Sequence, residues 1–141
     1  MATLSEETSK ANVLYYGEPG SGKSTAMAGM ARLGKMMFVD AESGLKAAPM
    51  IKHGINPTNI ATFRDITFPA LEALFWDLHA TLEENPDACI GLALDSTTEI
   101  QKLLLEKIVE KANRTSGPFT IERGDWGANT EQMRRLIRRF R

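Results

Sequence analysis

Residues 17–24 read G-E-P-G-S-G-K-S, which fits the pattern G-x-x-x-x-G-K-[ST] of a phosphate-binding loop. The glycines permit left-handed backbone and let amide groups approach a phosphate closely. The lysine supplies a mobile positive charge for the β- and γ-phosphates, and the final serine offers a hydroxyl ligand to Mg²⁺. The motif and the residue after it predict a nucleotide-binding set of Gly17, Glu18, Pro19, Gly20, Ser21, Gly22, Lys23, Ser24 and Thr25.

The sequence around this loop decides whether the short pattern is more than a glycine-rich turn. Residues 12–16 (N-V-L-Y-Y) read as a strand that enters the loop, and residues 25–33 read as a helix that leaves it and stops at Gly34. A strand–loop–helix unit aims backbone N–H groups and the positive end of the helix dipole at a ligand. The context therefore favours a nucleotide site.

The rest of the chain alternates between apolar runs and amphipathic segments. Residues 35–40, 60–63 and 89–95 predict strands. Helices are expected over 69–82, over 99–113 and from 129 to the end, with loops over 41–57 and 115–127. This alternation predicts an α/β fold in which helices flank a mainly parallel sheet. We expect a flexible N-terminus over residues 1–11 and one domain over 12–141.

Composition excludes several classes of protein. The chain has 141 residues, of which 43% are hydrophobic and 25% charged, as in ordinary globular domains. A single cysteine rules out an internal disulfide framework and fits a reducing cytoplasm, where we expect the protein to reside. One cysteine and two separated histidines give no zinc-ligand spacing. The sequence shows no membrane span and no signal-peptide pattern, so we expect no membrane partner.

Acidic residues follow two of the predicted strands. Asp95 ends an apolar strand, as in the Walker B pattern that presents a carboxylate to Mg²⁺, although a helix-capping role is open to it too. ATP hydrolysis also needs a group that orients or deprotonates water. Residues 96–98 cannot serve as a base, which leaves Glu42, just beyond the strand that ends at Asp40, and Glu99 as candidates.

Three further segments carry a resemblance to a known family. They are D-A-E-S-G-L at 40–45, D-S-T-T-E at 95–99, and D-W-G at 125–127 before an arginine-rich helix. In this order, with the phosphate loop, residues 12–141 resemble phage-encoded RecA-like P-loop ATPases, a group that includes AAA-domain and single-strand-annealing recombination proteins. The resemblance implies a three-layer RecA-like fold, ATP hydrolysis with Mg²⁺, single-stranded DNA as partner, and homo-oligomers. It also implies that Glu42 is the catalytic base, Lys23 acts on the phosphates, and Ser24 and Asp95 bind Mg²⁺.

The chain departs from this family at its end. RecA-like relatives continue beyond the arginine-rich helix into another strand, which lies between the phosphate-loop strand and the Walker B strand. Without it the sheet would have a gap in its middle. We therefore expect that the domain is incomplete at its C-terminal end, and that the chain is a fragment of a longer protein.

Positive charge is concentrated near the end of the chain. Residues 121–141 contain six arginines and three acidic residues, whereas residues 1–120 carry 11 basic and 15 acidic ones. The arginines over 134–141 are open to three interpretations: contact with DNA phosphates, contact with a neighbouring subunit's nucleotide, or a solvated helix face. Trp126 could stack on a base, but we expect it to anchor the loop before the helix.

These observations together predict Mg²⁺-dependent binding and hydrolysis of ATP in support of DNA recombination or single-strand annealing. One alternative is a nucleotide-dependent DNA-binding module with little turnover. A second is a P-loop kinase of a small molecule, a class that usually places its Walker B strand beside the phosphate-loop strand. A regulatory, inactive ATPase is a third.

Overall fold

The computed structural model describes residues 12–112 and 121–139. The flexible terminus predicted over residues 1–11 lies outside the described residues. So do residues 115–120 of the predicted loop over 115–127 and the last two residues of the predicted final helix, Phe140 and Arg141.

Three parallel strands form the sheet, in the order β2-β1-β3. They are β1 (Met36–Asp40), β2 (Ile60–Phe63) and β3 (Gly91–Asp95). Their positions confirm the three apolar runs that the sequence predicts as strands. Because Asp40 lies opposite Asp95 in the register of β1 and β3, the polar residues that follow these strands meet at the carboxyl end of the sheet.

Five α-helices are described. They are α1 (Lys23–Ala28), α2 (Ala47–Lys52), α3 (Phe68–Glu84), α4 (Thr97–Lys111) and α5 (Arg123–Arg139). A 3₁₀ segment, Gly29–Arg32, continues α1, and another, Pro57–Asn59, precedes β2. The helices expected over 25–33, 69–82 and 99–113 are confirmed with boundaries moved by a few residues.

Two apolar clusters, one on each face of the sheet, give the fold its three layers. One face packs Met36, Phe38 and Ala93 against α1 and α2. The other packs Val39 of β1 against α3, α4 and α5 through a cluster made of Val39, Ile66, Leu71, Leu74, Ile100, Leu104, Met133 and Leu136. This arrangement confirms the α/β class, with a parallel sheet flanked by helices on both faces.

The strand predicted over residues 12–16 is wrong. These residues have no regular structure, and Val13, Leu14 and Tyr16 are 62%, 86% and 98% exposed. The physical reason is the lack of a neighbour: among the described residues, the sheet contains only β1, β2 and β3, and residues 12–16 pair with none of them. An apolar extended segment becomes a strand only where another strand satisfies its backbone.

The loop predicted over 41–57 contains a helix, α2. Gly44, Pro49 and Gly54 read as loop punctuation in the sequence, but Pro49 is the third residue of α2. In the first turn of a helix a backbone N–H has no partner within the helix, so a proline is tolerated there. The two glycines lie outside the helix on either side of it.

The last helix begins earlier than residue 129, so the predicted loop over 115–127 is wrong in its described part. Gly124 and Gly127 made this stretch read as a loop, yet both lie within α5. Trp126 is therefore in the first turns of the helix, 48% exposed, and does not anchor a loop. Ile137 is 50% exposed, because α5 packs through Met133 and Leu136.

Within residues 12–112 and 121–139, no helix has the length and apolar character that a membrane span requires.

Candidate nucleotide site

The phosphate loop is closed by its own lysine. The Nζ atom of Lys23 donates hydrogen bonds to the carbonyl oxygens of Gly17, at 2.8 Å, and Glu18, at 2.9 Å. Gly20 and Gly22 have φ angles of 78° and 86°, which side chains other than glycine rarely adopt. The loop therefore wraps around the ammonium group of Lys23. A phosphate bound in the loop would contact this positive charge.

The loop lies at the carboxyl end of the sheet. Helix α1 and its 3₁₀ extension cover roughly 17 Å, at about 1.5 and 2.0 Å per residue. Strand β1 spans roughly 16 Å. Because only residues 33–35 join them and Ala28 and Ala31 pack on the sheet, α1 runs antiparallel to β1 and begins near the end of the strand. The phosphate loop and the acidic residues thus share one edge.

A depression of about 430 Å³ opens beside the loop. It shares Gly22 and Thr25 with the predicted nucleotide-binding set, and Arg32 and His53 line its far side. Its volume is in the range of small-ligand pockets. A second cavity of about 260 Å³ lies at the amino ends of the strands, near Met36 and Cys89, and shares no residue with the loop.

Asp40 is buried and fully engaged. Its side chain, 1% exposed, accepts hydrogen bonds from Arg64 Nε at 3.1 Å, Arg64 Nη2 at 2.9 Å and the Gly44 amide at 3.0 Å. A buried carboxylate requires such compensation. These bonds fix the turn that follows β1, on which Glu42 lies.

Glu42 faces the end of β3. The Ala41 amide donates to the Asp95 carbonyl at 2.8 Å, which extends the pairing of the two strands by one residue. The Ser96 hydroxyl then donates to Glu42 Oε1 at 2.7 Å, joining residues 54 positions apart. The structure thus brings the Glu42 side chain to Ser96, the residue that follows Asp95.

The Asp95 carboxylate is unpaired in the described parts of the chain. The residue is 9% exposed, and within residues 12–112 and 121–139 its carboxylate has no hydrogen bond or ion pair, so its oxygens keep contact with solvent. An unpaired carboxylate that solvent can reach is available to a cation. Among the described residues no group of three histidine, cysteine or acidic side chains could hold a metal ion by itself.

Glu99, the alternative base, forms its side-chain contact within α4. It lies in the first turn of α4, and its Oε2 accepts a hydrogen bond from Lys102 at 3.0 Å. Its backbone amide donates to the Ser96 hydroxyl at 3.3 Å. Of the two acids, Glu42 is the one that reaches across to the neighbouring strand.

Helix α5 carries the arginine cluster. Arg134 and Arg135 form ion pairs with Glu131, the second at 3.0 Å, and the hydrogen bond from Arg135 is the main reason that the pKa of Glu131 is lowered. Arg139 pairs with Glu72 of α3 at 2.6 Å, and its guanidinium lies 5.6 Å from the Trp76 ring centroid. The latter arginine is a structural link between helices.

Two polar residues of α5, Asp125 and Asn129, prove to be buried, which their polarity did not predict. Asn129, fully buried, donates to the Gln101 carbonyl of α4 at 2.8 Å, and Asp125 accepts from the Glu122 amide at 2.7 Å. Their spacing from Met133 by multiples of four was the available signal. Arg64 belongs to no motif, and Ser96, although it lies in the D-S-T-T-E segment at 95–99, was not expected to contact Glu42.

The comparisons with known proteins give one match. A family model described as an AAA domain matches residues 9–141, nearly the whole chain. No curated protein and no solved structure matches this chain.

Proposed function

Because the chain belongs to the AAA-domain family, we propose that it binds ATP with Mg²⁺ and hydrolyses it, in support of DNA recombination or single-strand annealing. The family implies nucleotide-dependent activity of the P-loop ATPase type. The observation that supports the metal and hydrolysis parts of the proposal is the carboxylate of Asp95, which has no partner in the described parts of the chain and directly precedes Ser96, whose hydroxyl donates to Glu42.

Each residue has a role that its surroundings support. When ATP binds, the Lys23 ammonium leaves the carbonyl oxygens of Gly17 and Glu18 and contacts the β- and γ-phosphate oxygens. Backbone N–H groups within residues 17–25 hold the phosphates. Ser24 and Asp95 are the residues that would hold the metal. When bound, Mg²⁺ neutralises charge that develops on the phosphates. Glu42 orients the attacking water and takes its proton.

Single-stranded DNA is the partner that we propose for α5. Arg134, Arg135 and Arg138 are exposed at one end of this helix, and Trp126 is half-exposed at the other. Arginines that track a backbone, together with an aromatic ring for stacking, are the usual elements of single-strand binding. Arg139 is excluded from this role by its contacts with Glu72 and Trp76. A neighbouring subunit's nucleotide remains the alternative ligand for the same arginines.

We also propose that another strand completes the sheet. Strand β3 offers an edge that no described strand covers, while Val13, Leu14 and Tyr16 expose apolar side chains. A strand between them would satisfy both. In this proposal the strand belongs to a longer protein of phage origin, which acts as a homo-oligomer in the cytoplasm of the host cell.

The small-molecule kinase is not favoured by any observation, since β3 pairs with β1 rather than with residues 12–16. The test of the proposal is ATP turnover by the chain with and without single-stranded DNA, beside Lys23→Ala and Glu42→Gln. We expect turnover that DNA stimulates and that either substitution abolishes. Tight ATP binding without turnover would instead support the binding module, and absence of ATP binding would reject the proposal.

A further inference from the structure

We propose that Ser96 is the positioning residue that holds Glu42 for its reaction with water. This inference rests on the proposed function, because it assigns a second residue to the same site. Ser96 follows Asp95 directly and precedes the first residue of α4, so it stands between the proposed metal ligand and a helix. It lies in the D-S-T-T-E segment at 95–99, which does not by itself assign it a role.

The direction of its hydroxyl proton is determined by its two neighbours. A serine hydroxyl has one proton to donate and two lone pairs to accept with. The Glu99 amide, at 3.3 Å, is a donor only, so Ser96 must accept from it. An ionised Glu42 is an acceptor only, and its Oε1 lies 2.7 Å from the same hydroxyl. The hydroxyl therefore aims its single proton at Glu42.

The hydrogen bond from Ser96 orients the side chain of Glu42, whereas other contacts hold its backbone. The turn at 40–44 is fixed by the Asp40 contacts with Arg64 and Gly44 and by the bond from Ala41 to the Asp95 carbonyl. In contrast, the Glu42 side chain is exposed, has several rotatable bonds, and finds only Ser96 as a partner within residues 12–112 and 121–139. Loss of the hydroxyl should thus release the carboxylate and leave the turn in place.

A catalytic group displaced by about 1 Å can lose about 100-fold in rate. For Ser96→Ala we expect kcat to fall about 10- to 100-fold, with KM for ATP changed less than about two-fold, since Ser96 has no contact with the phosphate loop. Ser96→Thr keeps the hydroxyl and should recover most of the rate.

Ser96 also caps α4, so its removal costs stability for a second reason. Thr67 provides a matched control. It caps α3 in the same way, accepting from the Ala70 amide at 3.3 Å, and has no contact with Glu42. Thr67→Ala should lower the urea midpoint about as much as Ser96→Ala, and leave kcat unchanged.

A measurement without turnover completes the test. Three-bond couplings in NMR report whether the χ1 angle of Glu42 is fixed or averaged. We expect one dominant rotamer in the wild type, in Ser96→Thr and in Thr67→Ala, and averaging in Ser96→Ala. An averaged Glu42 in the wild type, or a fixed one in Ser96→Ala, would overturn the inference even if the wild type hydrolyses no ATP. Absence of turnover in the wild type would overturn the proposed function instead.

Discussion

Arg64 holds Asp40 by two hydrogen bonds, from Nε at 3.1 Å and from Nη2 at 2.9 Å, across the carboxyl ends of β1 and β2. The carboxylate is 1% exposed and the arginine is 52% exposed, so the pair joins the interior to the surface. The same carboxylate receives the Gly44 amide. Through these contacts a residue outside every motif fixes the turn on which the proposed base lies.

We expect Arg64→Ala to destabilise the fold by about 2–3 kcal/mol, because it leaves a buried charge without its main partner. Arg64→Lys should lose about half as much, since it keeps the charge but not the paired geometry. Urea unfolding measures both. Equal stability of Arg64→Ala and the wild type would show that solvent compensates Asp40 and would contradict the assignment.

The glycines of the phosphate loop and of α5 should respond oppositely to alanine. Gly22 has a φ of 86°, so Gly22→Ala strains the loop by roughly 1–2 kcal/mol and should weaken ATP binding. Gly127 lies inside α5 with open space where a Cβ would be, so Gly127→Ala should stabilise the fold by roughly 0.5–1 kcal/mol without changing ATP affinity. Thermal unfolding and calorimetry of both variants test this. Equal effects would contradict the loop conformation.

The ion pairs of Glu131 should make stability depend on pH on the acid side. Arg135 lowers the pKa of Glu131 below its ordinary value of 4.5, so the folded state binds this proton more weakly than the unfolded state. The stabilisation is therefore present above about pH 4.5 and is lost as pH falls through the lowered pKa. The urea midpoints of wild type and Glu131→Gln should differ at pH 6 and converge near pH 3. A constant difference would contradict the pairing.

Salt dependence separates DNA contact from a solvated helix face. If Arg134, Arg135 and Arg138 touch phosphates, replacing all three by glutamine should reduce the slope of log K against log salt for single-stranded DNA by roughly 2, at about 0.7 per contact. Lys52→Gln, on the opposite face of the sheet, controls for general charge. An unchanged slope in the triple variant would reject contact between these arginines and DNA.

The sequence predicted the main strands and helices better than the segments at their margins, namely residues 12–16 and the start of α5. Strands β1 and β3 pack between the two apolar clusters, so their runs of consecutive apolar residues are easy to recognise in the sequence. Strand β2 is shorter, and its two middle residues are exposed. Residues 12–16 have the same character but not the same structure, because a strand also needs a neighbour, and no local pattern reports one.

Helix α5 shows the opposite error. Gly124 and Gly127 have low helix propensity, yet tertiary contacts of Asn129 and Met133 with the neighbouring helices hold the segment helical. At the site, the motifs identified the phosphate loop, Asp95 and Glu42 as candidates. Ser96 and Arg64 could not be found from sequence, because their roles depend on the distance between β1 and its two neighbours.

The most direct test of the central claim, that this edge of the sheet binds ATP together with Mg²⁺, is calorimetry of ATP binding with and without the metal. We predict that Mg²⁺ raises the affinity of the wild type, that Asp95→Asn keeps the metal-free affinity and loses the increase, and that Lys23→Ala loses most of both. The same Mg²⁺-dependent increase in Asp95→Asn and in the wild type would contradict the account.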